Sequence, residues 1–142
     1  MRIATLINAK IMKITDQNML VYPKLSYRLI GLSYEIFNKL GPRHLEKVYQ
    51  KAFSELLKRN KIEFKEQLYL PIKIDDKIIS RYFLDFLICN KVIIEIKTGN
   101  KIHKRDYQQI RAYLKEHNLR LGILILFSPV EVKFKRILNP LE

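Results

Sequence analysis

Two apolar runs separated by three turn-forming residues commit the middle of this chain to a β-hairpin. Ile78 to Ile88 is rich in aromatic and β-branched residues and Val92 to Ile96 is a short apolar run. Cys89-Asn90-Lys91 between them can make the turn. Each run is interrupted by an acid, Asp85 in the first and Glu95 in the second, and Lys97 follows two residues later. If the runs pair, Asp85 and Glu95 meet at one end of the hairpin. Side chains alternate along a strand, so Glu95 and Lys97 project together, and one face is expected to carry both acids and the lysine.

A carboxylate within an apolar strand is costly to desolvate unless something pairs with it. A divalent cation suits two neighbouring carboxylates, and hard oxygen ligands with open water positions describe magnesium or manganese. Such an ion lowers the pKa of a bound water and stabilises charge building on a phosphate, while Lys97 could orient the water or neutralise phosphoryl oxygens. The plain alternative is a salt bridge from Lys97 to Asp85 or Glu95 on a solvated strand face.

The charge balance points the same way. Among 142 residues, 27 Lys and Arg oppose 14 Asp and Glu, a formal net charge of +13. An excess of that size favours a polyanionic partner through counterion release, without separating DNA from RNA or an anionic membrane. No apolar run reaches the roughly 18 to 20 residues a spanning helix needs, so a membrane partner is not expected. The single cysteine, Cys89, excludes an intramolecular disulfide and fits a reducing cytoplasm, where the chain is expected to reside. Cys89 and His103 alone do not make a zinc motif. Residues 1–21 lack the apolar core and cleavage site of a signal peptide and read as a short N-terminal extension, with Met12 and Met19 as alternative starts.

The rest reads as one domain, 22–142. Leu25, Leu29, Leu32, Ile36 and Leu40 recur at helical spacing from Lys24 to Leu40. Gly41-Pro42 ends that helix, and Arg43 to Asn60 reads as the next, with Leu45, Val48, Tyr49, Ala52, Phe53, Leu56 and Leu57 inward. Ile62–Glu66 and Leu68–Ile74 are separate strand candidates, and Asp75-Asp76-Lys77 turns into the Asp85 strand. Lys104 to His117 reads as a helix, Leu121 to Phe127 as a central strand, and Val130 to Leu138 as a last strand with polar positions at Lys133, Lys135 and Arg136. A strand following a crossover helix can join in parallel, giving a mixed α/β sheet.

Asp85 and Glu95-Ile96-Lys97 on consecutive strands in this order resemble the PD-(D/E)xK nuclease superfamily, and more closely its GxxExxY family. The likeness runs from about Tyr22 to Asn139. It rests on Tyr22-Pro23, Leu40-Gly41, Glu46-Lys47-Val48-Tyr49, Tyr82-Phe83-Leu84-Asp85-Phe86, Ile94-Glu95-Ile96-Lys97, Gln109 with Tyr113-Leu114, Leu121-Gly122-Ile123-Leu124 and Lys133-Phe134-Lys135-Arg136-Ile137. The chain departs from the family at Arg43, where the motif has glycine.

The resemblance implies a restriction-endonuclease-like α/β core, a mixed sheet flanked by helices. It implies Asp85, Glu95 and Ile96 as ligands of Mg²⁺ or Mn²⁺ and Lys97 as the catalytic lysine. It adds Glu46 as a further ligand or water-positioning acid, with Glu35 as its rival. The bland reading of Glu46 is an exposed helix acid pairing with Gln50 or Lys47. Gln109 and Tyr113, one helical turn apart, match a Gln-x-x-x-Tyr element that supports the site and contacts nucleic acid in RecB-type relatives; Tyr113 taken alone is more often a core aromatic with its hydroxyl satisfied locally. Lys101, Lys104, Arg105, Arg111, Lys133, Lys135 and Arg136 are expected to grip the phosphate backbone, and His103 is a surface residue or a proton shuttle. The activity implied is metal-dependent DNA hydrolysis. A binding module without turnover and an RNA-directed nuclease stay open. Sequence-specific cutting would need a homodimer or a protein partner.

Overall fold

The computed structural model describes residues 21–139; the N-terminal extension up to residue 20 and residues 140–142 lie outside them. Helix α1 (Pro23–Leu40) opens with a proline in its first turn, where no amide partner is needed, and stops at Gly41, whose φ of 77° suits glycine. Helix α2 (Glu46–Arg59) follows, then β1 (Phe64–Ile74), β2 (Lys77–Ile88), β3 (Val92–Thr98), helix α3 (Lys104–Glu116), β4 (Leu121–Phe127) and β5 (Val132–Leu138). The strands form one sheet in sequence order, antiparallel except for the parallel β3–β4 pair joined through α3. This is the mixed α/β sheet flanked by helices that the strand and helix pattern predicts.

The sheet separates two cores. On one face α1 packs on β4 and β5 and α2 on β3. Leu29, Ile30, Ile36, Phe53 and Leu57 of these helices meet Phe86, Ile88, Val92, Ile94, Ile96, Ile123 and Ile125 there. On the other face α3 places Ile110, Tyr113 and Leu114 against Leu68, Leu70, Leu84, Ile93, Leu124 and Ile137. β4 is buried along its whole length, as its unbroken apolar run requires. Gly122 lets α3 approach it, since a Cβ there would stand 2.5 Å from Ile110 Cγ2.

Three details differ from the sequence reading. The second helix begins at Glu46, three residues later than expected, because Arg43 is left-handed at φ 70° and Leu45 is extended. Leu45 and Val48 are consequently exposed while Tyr49, Phe53, Leu56 and Leu57 are buried. The two strand candidates before the first turn are one strand, β1, which continues through Gln67 at φ 55°.

Gln67 also marks an irregularity in the hairpin. The β1–β2 register would set it opposite Asp85, and that is the one place between Phe64 and Ile72 where the ladder skips a pair. Leu84 lies in the α3 core and Phe86, two residues on, in the α1–α2 core. Residues two apart in a regular strand share a face. The pleat is therefore reset at Asp85, in the manner of a β-bulge, which re-aims a side chain where pairing is disrupted.

Candidate active site

β2 and β3 pair only from Phe86 with Ile94 to Ile88 with Val92. Beyond that point the carboxylates take over the ladder. Ile96 N–H donates to Asp85 Oδ2 at 2.8 Å, and Asp85 N–H donates to Glu95 Oε1 at 2.9 Å. Each acid thus satisfies a backbone donor of the opposite strand, which explains how both stay buried on splayed strands.

Their other oxygens face opposite ways. Asp85 Oδ1 accepts from Gln50 Nε2 of α2 at 2.9 Å, and Glu95 Oε2 accepts from the Tyr82 hydroxyl at 2.5 Å. Lys97 Nζ stands 3.7 Å from Glu95 Oε2 and 3.7 Å from Asp106 Oδ1 of α3, and donates to the Tyr82 hydroxyl at 3.3 Å. The expectation of a single face with both acids and the lysine is thereby corrected. Glu95 and Lys97 lie toward α3, and the reset at Asp85 turns that carboxylate toward α2.

Glu46 joins from the first turn of α2. It is half-buried, and burial raises its pKa, opposed by Lys97 and the Thr98 backbone N–H and reinforced by Asp85 and Asp106. Glu35 instead pairs with Lys39 at 3.0 Å on the exposed side of α1. Gln50 does not pair with Glu46 but serves Asp85. Burial also raises Asp85, against the Ile96, Gln50 and Lys97 contacts that lower it. Glu95 is pushed to about 8 by burial first and by the Asp85 charge second. All three acids are held above their ordinary range chiefly by burial, with the neighbouring carboxylates adding to it at Glu46 and Glu95.

Among the described residues no three His, Cys, Asp or Glu side chains close a metal site by themselves. The donors on hand are Asp85, Glu95 and the carbonyl of Ile96, whose N–H is already used, with Glu46 behind them. A small set of hard oxygens that leaves room for water and phosphate fits magnesium or manganese better than a softer metal.

Sequence reasoning missed Tyr82, Gln50 and Asp106. Gln50 was the most accessible, four residues after Glu46 on the same helical face. Asp106 was hidden as a helix cap: it accepts from His103 N–H at 3.0 Å in the first turn of α3. His103 is exposed and acts as that N-cap.

Other anticipated residues fall outside the cluster. Tyr113 packs in the α3 core and stacks on His117 at 4.0 Å, its pKa raised by burial and Glu116 rather than by the acids. Gln109 lines a cleft of about 500 Å³ between α3 and β1 with Leu70, Pro71, Ile72 and Arg105. Its Oε1 is buried without a hydrogen-bond partner among the described residues. Arg136 is a correction: it is 9% exposed, donates to the Val21 carbonyl, and is turned inward where it cannot grip a phosphate backbone. Lys101, Lys104, Arg105, Arg111, Lys133 and Lys135 are exposed.

A family model described as the PD-(D/E)XK nuclease superfamily matches residues 23–137. The chain belongs to this superfamily. Membership in the PD-(D/E)XK superfamily points to nuclease chemistry and a nucleic-acid partner, and its members generally use divalent metals. A solved structure, "Crystal structure of SSO0001", matches with a TM-score of 0.51 and 18% identity, covering 98% of this chain and 67% of that one. At that identity the likeness concerns the fold alone. No curated protein matches the chain. No helix among the described residues is long and apolar enough to cross a membrane.

The segment before α2 gives the Arg43 departure a physical meaning. Tyr49, stacked on Phe127 at 4.1 Å, donates its hydroxyl to the Gly41 carbonyl at 2.7 Å and so ties down the α1–α2 connection that sets Glu46. Within that connection Arg43 occupies the left-handed region, where an L side chain costs about 1–2 kcal/mol. Arg43→Gly is therefore expected to stabilise the fold by about 0.5–1 kcal/mol, glycine's greater freedom in the unfolded chain offsetting part of the gain. Chemical denaturation of the two proteins measures it. A destabilised variant would mean that the arginine side chain contributes more than its backbone strain costs.

Proposed function

We propose that this PD-(D/E)XK chain is a metal-dependent phosphodiesterase of the GxxExxY branch that hydrolyses DNA at the splayed end of β2 and β3. The observation that carries this reading is the buried Asp85–Glu95 pair with Lys97 at 3.7 Å from Glu95, joined electrostatically by Glu46 from another element. Asp85, Glu95 and the Ile96 carbonyl would hold Mg²⁺ or Mn²⁺, with Glu46 as a further ligand or an acid that positions water. When bound there, the ion supplies a Lewis acid that lowers the pKa of water and offsets charge on the phosphate.

The protein's own groups complete the chemistry. Lys97, held between Glu95 and Asp106, keeps its ammonium where it can orient the attacking water or neutralise a phosphoryl oxygen. Tyr82 fixes Glu95 Oε2 and leaves that carboxylate little freedom to rotate. Lys101 precedes α3, and Lys104 and Arg105 occupy its first turn, where cations oppose the helix dipole and an anion relieves the conflict. Lys133 shares a row with Lys97 through Leu126, about 10 Å away across two strand spacings. These cations crowd the same end of the sheet as the acids, which supports a phosphate backbone lying across it.

The test is cleavage of linear, circular and single-stranded DNA and of RNA with Mg²⁺, Mn²⁺ or EDTA. Cutting of DNA that EDTA abolishes is the expected result. Salt-sensitive binding without turnover on any substrate would replace the enzyme with a binding module, and a preference for RNA would change the substrate. Lys97→Ala is expected to lower the cleavage rate at saturating metal by about 10²–10³-fold. If Lys97 served only as a strand salt bridge, single-turnover kinetics would show an unchanged rate.

A further inference from the structure

The β1–β2 hairpin rises past the end of the sheet's other strands, and one of its faces is left bare. Pairing to β3 stops at Phe86, so residues before Asp85 have only each other. Their α3 side is covered by Leu68, Leu70 and Leu84 in the core. On the opposite side Tyr69 and Phe83 are a cross-strand pair with ring centroids 5.4 Å apart, 43% and 46% exposed, and the next row is Pro71 with Arg81.

Two large rings paired and half exposed near a buried acid cluster offer a ligand a flat apolar surface. α2 reaches Asp85 through Gln50, and the exposure of both rings shows that it leaves them uncovered. α2 meets α1 along Ala52, Glu55, Leu56 and Arg59. Lys47 and Lys51, one turn apart on α2 and on either side in sequence of the Asp85 partner Gln50, are exposed. The fold thus sets an aromatic pair and exposed cations, Lys47 and Lys51 on α2 and Arg81 on β2, on the elements that carry Asp85 and its partner Gln50.

We propose that Tyr69 and Phe83 form a stacking platform for the bases of an unpaired nucleic-acid strand, with Lys47, Lys51 and Arg81 on its phosphates, feeding that strand to Asp85 and Glu95. The inference rests on the nuclease reading and gives it a substrate class: single strands or unpaired ends rather than intact duplex. Every base offers a π-face, so the platform is indifferent to sequence, and the cations match the +13 charge of the chain. A duplex keeps its bases stacked on one another and gains nothing from the rings.

The experiment is fluorescence anisotropy in EDTA with a labelled oligothymidylate and a blunt duplex of equal length, on the full chain. Tyr69→Ala/Phe83→Ala is expected to weaken the single strand about tenfold or more and leave the duplex within twofold. Phe83→Trp is expected to bind like wild type, with indole emission quenched by the single strand and not by the duplex. Equal loss for both probes, or none, overturns the proposal. So does a wild-type dimer that the double variant converts to monomer in sedimentation while single-strand binding persists, since the rings would then cover a second copy. Because binding is read without metal, absence of cleavage would defeat the nuclease reading while leaving this binding result to be judged alone.

Discussion

Asp85→Asn is expected to abolish cleavage, by at least about 10³-fold, in a protein that folds and unfolds like the wild type. The asparagine carbonyl can still accept from Ile96 N–H, and Gln50 can turn its amide to meet the new NH₂ group, so the contacts of the two carboxylate oxygens are both replaced. Stability should change by no more than about 1 kcal/mol, because two exchanged hydrogen bonds and one removed buried charge largely offset. What is lost is the anionic oxygen. A metal contributes several kcal/mol to phosphoryl transfer, and about 1.4 kcal/mol corresponds to tenfold in rate. Asp85→Ala is the less informative variant, since it strands the Ile96 N–H and Gln50 at about 1–3 kcal/mol. Cleavage assays with matched denaturation curves and calorimetric titration of Mn²⁺ separate the effects. Cutting within tenfold of wild type would remove Asp85 from the reaction.

What the sequence disclosed about the site depends on which contacts local rules control. Cys89-Asn90 with both residues at positive φ closes a tight turn, and that turn sets Phe86 opposite Ile94, so the closeness of Asp85, Glu95 and Lys97 was legible from the hairpin alone. The order of helices and strands was equally legible, because their apolar periods are clean. The reset at Asp85 was not. It depends on Gln67 adopting φ 55° without the glycine that normally announces such a position, and it decides which face the carboxylate serves. Arg136 was misread because the alternating Lys133, Phe134, Lys135 suggests a solvated continuation, whereas its side chain turns under Val21, over 100 residues away in sequence. Tyr82 and Asp106 reach Glu95 and Lys97 only through tertiary packing, and no spacing rule connects them beforehand.

Metal-free protein is expected to lose stability as pH rises from 5 to 9, and Glu95→Gln to flatten that decline. Glu95 is held at about 8 in the fold against 4.5 as its ordinary value. Between those values the folded state keeps a proton that the unfolded chain has released, so stability is full below about 4.5 and falls as pH climbs through 8. The slope approaches about 1.4 kcal/mol per pH unit. The titration is shared with Asp85, so the total loss attributable to Glu95 is on the order of 2–4 kcal/mol. The amide of Glu95→Gln can still accept from Asp85 N–H and has no charge to bury, so its stability should vary much less with pH. Metal reverses the sign for function. A cation needs the carboxylate, so binding expels the proton, and apparent Mn²⁺ affinity should rise about tenfold per pH unit below 8 and level off above it. Denaturation in EDTA at pH 5, 7 and 9, with Mn²⁺ titrations at the same values, tests both halves. A stability curve as flat in wild type as in Glu95→Gln, together with pH-independent Mn²⁺ binding, would mean that Glu95 is already ionised at neutral pH, with Lys97 and Tyr82 outweighing its burial.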